Sequence, residues 1–409
     1  MREDARPVSP PPRPAAPAPA LPLPEADALA ASAALLEQMR AEIAAAGGWI
    51  GFDRYMALAL YAPGLGYYAG GAAKFGREGD FVTAPGLGPL YAQTLARSLA
   101  AIMARSAPHI LEFGAGTGAL AGDLLAELAR LDAVPHSYAI LEPSGALAAR
   151  QKAEIARRAP RLAERVRWLD RLPAAFRGAM LANEVLDALP VRIVEWAPEG
   201  VLECGVCWAD GAPGWAARPA QGELLEAAHA LAAGHAIVPP YRTEIALAAR
   251  GWMRSVAESL ECGALLAIDY GFPAREYFHA QRSSGTLMCH YRHRAHGDPF
   301  FHPGLQDITA HVDFSALALA AQDAGLQVLG YATQAGFLIE AGITEVLART
   351  DPRDLKAYVP LASAAQKLLS PAEMGELFKV LAVGRGLADA KDGSAALPGY
   401  ARGDRSHTL

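Results

Sequence analysis

At 409 residues and 52% hydrophobic content, the chain is long enough for a large α/β domain with insertions and has ample apolar material for its core. Its net charge of −6 lacks the basic excess that a nucleic-acid phosphate backbone attracts, which argues against nucleic acid as a partner. Four cysteines are too few for a disulfide scaffold of this size, and no apolar run approaches the ~18 residues of a membrane span.

In chain order, residues 1–24 are a proline–alanine stretch that predicts a disordered or polyproline tail. The apolar spacing of Leu29, Leu35, Leu36, Met39 and Ile43 predicts a helix over 25–46, ended by Gly47-Gly48, and a second helix spans 53–61. The segment 64–89 is rich in glycine yet carries Tyr67, Tyr68 and Phe75. It is expected to be a lid, with Asp80 and Thr83 as polar contacts to a ligand; the alternative is a plain surface connection. Another amphipathic helix covers 90–106. Thereafter strands at 109–113, 137–141, 165–169, 178–182 and 264–269 alternate with helices at 119–130, 144–158 and 244–260, predicting a parallel sheet clad in helices. Runs at 191–196 and 201–208, joined by a Pro/Gly turn, predict an inserted β-hairpin. Cys204 and Cys207 face opposite sides of its second strand and are expected to be structural. Two late strands, 327–333 and 378–383, complete the sheet.

The stretch HILEFGAGTGAL, 109–120, carries the first chemical signal. A buried strand enters a turn with Gly114, Gly116 and Gly118, then a helix begins, which is how an α/β protein brings backbone against a nucleotide-like ligand. The turn can be read as a dinucleotide fingerprint, as a ligand-free turn, or as an S-adenosylmethionine site of the form E-x-G-x-G-x-G. Glu112 decides for the last: a carboxylate there accepts a hydrogen bond from the methionine amino group and would repel a pyrophosphate. Glu142, at the end of the next strand, suits the ribose hydroxyls.

A second cluster ends the fourth strand. Asn183, Glu184 and Asp187 follow GAMLA, and a helical turn over 184–189 would put Glu184 and Asp187 on one face, suited to holding a guanidinium. A cap at a strand–helix junction is the alternative. Asp269 and Tyr270, at the end of the fifth strand, are expected in the same cleft. The histidine-rich stretch 289–313 offers Arg292, His293 and His311 as a substrate-binding wall; it reads as a loop without the spacing of a metal site, so no metal is expected.

Together, GDFVTAPGLGPL, LEFGAGTG, NEVLDALPV, AIDYGF, GTLMCHYRHRAHGDPFFHPGLQDITAHVDF and MGELFKVLAVGRG resemble the MidA-type methyltransferases, from about residue 37 to 386. The resemblance implies an α/β class I fold with a Rossmann-like seven-stranded sheet and S-adenosyl-L-methionine as cofactor. It also implies protein arginine methylation, one methyl on each terminal nitrogen, with a respiratory complex I subunit as acceptor in mitochondrial members. Glu112, Gly114, Gly116, Gly118 and Glu142 fall in the cofactor positions, and Asn183, Glu184 and Asp187 on the acceptor side. The sequence departs from the family pattern at Gly86 and Gly88, where a glutamate and a serine are commoner, which bears on the acceptor. The expected organisation is a tail (1–24), a helical and lid region (25–106), a methyltransferase domain (107–386) with insertions near 190–243 and 272–313, and a flexible tail (387–409). A bacterial chain would act in the cytoplasm and a eukaryotic one in the mitochondrial matrix. A SAM-binding assembly factor, a small-molecule methyltransferase and an NAD-type oxidoreductase are the competing readings. Oligomeric state stays open.

Overall fold

The computed structural model describes residues 6–7, 21–70, 83–142, 144–389 and 396–409. The chain forms two compact units: Met1–Phe81 with Asp187–Ala249 and Ala274–Val312, and Val82–Leu186 with Arg250–Pro273 and Asp313–Leu409.

The second unit is built on a sheet of β1 (His109–Phe113), β2 (Ser137–Leu141), β3 (Val166–Leu169), β4 (Phe176–Asn183), β5 (Leu260–Phe272), β6 (Gln327–Thr333) and β7 (Phe378–Arg385). Their spatial order is β6-β7-β5-β4-β1-β2-β3. The first five are parallel neighbours, while β7 runs antiparallel to both β5 and β6. The chain therefore starts in the middle of the sheet, works to one edge, returns, and closes the far edge with a reversed pair. The helices α1 (Pro89–Ala104), α2 (Ala119–Arg130) and α3 (Gly145–Arg158) follow the predicted spans within a residue or two. Their apolar faces join the strands in one core that includes Leu95, Leu99, Leu124, Leu128, Ile155, Ile110 and Leu181. This is the class I Rossmann-like architecture expected from the sequence.

Three neighbouring parallel strands, β1, β4 and β5, approach so closely that β4 and β5 need glycine. A Cβ on Gly178 would stand 2.2 Å from the His109 carbonyl oxygen, and one on Gly263 1.9 Å from that of Gly178. The expected flexible end is not flexible over 396–409. Leu397 and Tyr400 are buried in the core, Ser98 donates to the Pro398 carbonyl at 2.8 Å, and the Tyr331 amide donates to Asp404 at 2.9 Å. Aromatic and aliphatic residues this close to a terminus still find a groove, because Gly330 leaves space for the Tyr400 ring.

In the first unit, helices Ala26–Ala45 and Phe52–Tyr61 pack with an antiparallel sheet. The inserted hairpin, Arg192–Ala197 with Gly200–Ala209, is its centre, and Ala212–Pro219, Tyr241–Ile245 and Trp49–Gly51 extend it. Residues 241–245 thus form a strand, and the helix expected from 244 starts at Leu247, because Thr243, Glu244 and Ile245 are held by pairing with 192–194. The proline–alanine tail is not wholly unpaired either. Arg6–Pro7 lies antiparallel to Ala216 and Ala217, at an edge where a residue without an N–H is tolerated. The four cysteines are free, and burial pushes the Cys204 thiol up to about 12.

Candidate active site

The register of the central sheet brings the ends of four strands level. Phe113 pairs with Leu141 and with Ala182, and Ala182 with Ala267. Gly114, Glu142, Asn183 and Ile268 are therefore the next residues in each chain, at the carboxyl edge where ligands bind in such sheets. Among the sequence-predicted residues of this unit, Glu112, the glycine turn, Glu142, Asn183, Glu184, Asp269 and Tyr270 are gathered by that register.

The turn after β1 is left-handed at Gly114 (φ 57°), Gly116 (φ 53°) and Gly118 (φ 85°), backbone that favours glycine at each position. Two of these positions have different packing reasons. At Gly118 a Cβ would come within 2.8 Å of the Gln151 Cα, so glycine lets α3 lie against the start of α2. At Gly116 a Cβ would meet nothing within 4 Å, so the turn has an open side with room for a ligand.

Glu112 is 2% exposed and accepts a 2.7 Å hydrogen bond from the Tyr138 hydroxyl. Burial pushes its carboxyl up to about 7, against the lowering effect of that bond. A buried carboxylate of raised pKa gains most from a cation. Glu142 accepts from the Ser144 amide (2.9 Å) and from Gln151 Nε2 (2.9 Å), with burial raising its carboxyl above the usual range. Gln151 escaped the sequence reading. The signal it offered is faint: with Ile155, four residues on, it forms the buried stripe of an otherwise charged helix.

At the end of β4 the expected helical turn does not form. Residues 184–189 are bends and a turn, and Glu184 itself is left-handed (φ 53°), a costly conformation for a residue with a Cβ. Three observations account for its persistence. The Glu184 amide donates to the Ile268 carbonyl at 2.9 Å, so Glu184 is still tied to β5. Asp269, fully buried, accepts the amides of Val185 (3.1 Å), Leu186 (2.9 Å) and Tyr270 (2.9 Å). The Tyr91 hydroxyl of α1 donates to Asn183 Oδ1 at 2.5 Å, and Asn183 Nδ2 donates to Glu184 Oε1 at 3.2 Å. Burial, with Glu184 and Asp269 nearby, holds the Tyr91 hydroxyl well above the ordinary tyrosine range, so it stays a donor. Asp269 thus brackets the loop that presents Glu184. Tyr270 is half-buried, edge-on to Phe378 at 5.5 Å.

Of the expected lid, Asp80 lies outside the described residues. Thr83 precedes a 3₁₀ turn, Ala84–Leu87, and its carbonyl accepts the Gly86 amide at 2.9 Å. Gly88 has φ 125° and ψ −176°, which glycine alone adopts readily, and it stands at the N-cap of α1 where a serine would have offered a capping hydroxyl.

The remaining candidates lie in the first unit. Asp187, 6% exposed, lies near Tyr61 and Tyr68, whose hydroxyls it and Asp307 help hold above the ordinary range, after burial. Tyr68 donates to both oxygens of Asp307, at 3.0 and 3.1 Å. With no helical turn over 184–189, the helical face expected for Glu184 and Asp187 does not exist. Arg292 (φ 47°) and His293 (φ 60°) are the exposed two-residue turn of a hairpin, Met288–Tyr291 with Arg294–His296, where a loop was expected. Polar residues on both faces hid the alternation, and turns with two left-handed centres are usually built from Asn and Gly. The His311 amide donates to Thr286 Oγ1 at 3.1 Å.

A sheet of this order, a reversed last strand pair, a glycine turn with an open side and acids at the ends of β1 and β2 define a class I S-adenosyl-L-methionine-dependent methyltransferase. A family model for S-adenosyl-L-methionine-dependent methyltransferases, Methyltransf_28, matches residues 91–332, and the chain belongs to that family, the MidA type its motifs resemble. A COG1565 superfamily member from Burkholderia thailandensis, crystallised bound to S-adenosyl-homocysteine, is similar at 55% identity and TM-score 0.90, over 95% of this chain and 100% of that one. A native crystal structure of a COG1565 protein from the same organism is similar at 54% identity and TM-score 0.88, with the same coverage. A Drosophila melanogaster protein named protein arginine methyltransferase NDUFAF7 homolog, mitochondrial, is 28% identical over 85% of this chain and 84% of its own. The Homo sapiens protein arginine methyltransferase NDUFAF7, mitochondrial, is 27% identical over 82% and 80%.

Proposed function

We propose that this methyltransferase acts on arginine guanidinium nitrogens of a protein, one methyl on each terminal nitrogen, with a respiratory complex I-type subunit as the acceptor class that the resemblance implies. The observation that carries the reading is Glu184: a carboxylate held in costly left-handed backbone, braced from both sides, at the end of β4. Strain of that kind survives where the surroundings over-determine it, and it clusters where function needs the geometry. The arginine methyltransferase names of the Drosophila and human relatives support the same reading.

In this scheme the cofactor supplies an electrophilic methyl on a sulfonium. Glu112 accepts from its amino group, Glu142 from its ribose hydroxyls, and the glycine turn lies along it, with Thr83 as a further contact. Glu184, oriented by Asn183, holds the cationic guanidinium. The N–C bond forms as the S–C bond breaks, sulfur keeps the electron pair as a thioether, and the nitrogen sheds one proton. Fixed carboxylates around the cation and alignment of the three atoms supply most of the acceleration. Tyr270, Arg292, His293 and His311 are assigned to the acceptor protein, and a bacterial chain would work in the cytoplasm.

The test is Glu184→Ala in cells lacking the native gene. Dimethylarginine in the acceptor should disappear while S-adenosylhomocysteine binding persists. Retained dimethylarginine would sink the arginine reading, and retained acceptor assembly without it would identify an assembly factor that works by grip alone.

A further inference from the structure

One buried side chain in the methyltransferase unit joins three parts of the cofactor half-site, and no motif contains it. Gln151, in α3, is 0% exposed. The Trp168 indole, which can only donate, lies 2.8 Å from Gln151 Oε1, so the amide's oxygen must face the indole. Its Nε2 then faces the other way, to Glu142 Oε2 at 2.9 Å and the Gly116 carbonyl at 3.1 Å. The other oxygen of Glu142 receives the Ser144 amide at 2.9 Å. Each carboxylate oxygen thus carries one fixed donor and keeps lone-pair capacity for one more. Those two donors fix the plane of the carboxylate, and the amide that supplies one of them also fixes the carbonyl of the glycine with the open side.

We propose that Gln151 is a positioning residue for the cofactor: one amide, itself oriented by Trp168, sets Glu142 to receive both ribose hydroxyls and ties it to the glycine turn. This rests on the ribose role given to Glu142 above. The amide contributes no contact of its own to the ligand, so its effect passes through ribose recognition rather than through the methionine end.

The experiment compares S-adenosylhomocysteine with its 2′,3′-dideoxy analogue by titration calorimetry on the full chain. Gln151→Leu should weaken S-adenosylhomocysteine roughly tenfold or more, the scale of a buried hydrogen bond to a charged group lost. The same variant should leave the dideoxy analogue within about twofold, since that ligand has no hydroxyls for Glu142 to accept. Trp168→Phe, which keeps an aromatic ring and removes the orienting donor with part of the indole, should show the same pattern more weakly and serves if Gln151→Leu does not fold. Equal losses for both ligands would mean that Gln151 merely packs, and no loss for either would mean that Glu142 needs no holding; each overturns the proposal. Glu142→Gln is the separate control. If it leaves the preference for S-adenosylhomocysteine over the dideoxy analogue intact, the ribose role itself fails, whatever Gln151 does.

Discussion

Two carboxylates show how single residues serve this site through unfavourable settings. Glu112 is raised to about 7 from 4.5 by burial. Because the folded chain holds that proton more tightly than the unfolded one, the ligand-free protein loses stability as pH rises from about 4.5 through about 7, and the loss then levels off. A cationic amino group beside the carboxylate offsets that penalty. Binding of S-adenosylmethionine should therefore release a proton below about pH 7, and its affinity should fall between about pH 8 and about pH 6. Calorimetry in two buffers of different ionisation enthalpy reads the proton directly; affinity flat with pH would remove Glu112 from the site. Tyr138→Phe should push the midpoint higher, since the tyrosine bond lowers it. At Glu184 the backbone is the test. With the side chain removed in both, Glu184→Gly should be more stable than Glu184→Ala by about 1 kcal/mol in denaturant unfolding, because only the glycine relaxes a φ of 53°. Both should be inactive. Equal stabilities would mean that the loop rearranges and the strain is not intrinsic.

Among the elements, the turn between β1 and α2 separates folding from binding within five residues. Gly118→Ala drives a Cβ into the Gln151 backbone and should lower stability and cofactor affinity together. Gly116→Ala also pays the left-handed cost but meets no atom, so it should fold with a loss of ~1–2 kcal/mol and still bind S-adenosylhomocysteine at least tenfold more weakly, its methyl occupying the open side. Thermal unfolding with and without ligand distinguishes the two, and a Gly116→Ala variant that binds normally would show that the open side is not where the cofactor lies. The same turn explains why the predicted spans of β1 and α2 agree with the structure: glycine spacing and buried apolar runs are local properties. The hairpin at Arg292–His293 and the strand at 241–245 were not legible for the converse reason. The strand at Tyr241–Ile245 has strand-forming residues, but the partners that hold it, Arg192–Trp196, lie far off in sequence, and the hairpin pairs locally but is masked by its polar faces and its Arg-His turn.

At the scale of the molecule, each unit is assembled from segments remote in sequence. The antiparallel unit collects three of them, and the last residues of the chain close the methyltransferase core. Tyr400, 3% exposed and edge-on to Phe337 at 5.2 Å, should cost ~3 kcal/mol or more when replaced by alanine, with the midpoint of unfolding lowered and cofactor affinity at permissive temperature retained. A silent Tyr400→Ala would return 396–409 to the loose tail expected from composition.

By itself the sequence determined the strands of the sheet, the cofactor class and the family, because buried apolar strands, amphipathic helices and glycine turns are written in neighbouring residues. Only the tertiary structure decided which acids face which partners. Asp269 holds the loop after β4, Glu184 is left-handed rather than helical, and Asp187 keeps company with Asp307 and two tyrosines. Those assignments depend on long-range hydrogen bonds, spanning 92 residues between Tyr91 and Asn183 and 239 between Tyr68 and Asp307. No periodicity in the chain records a contact of that length; the fold creates it when the strand ends come level.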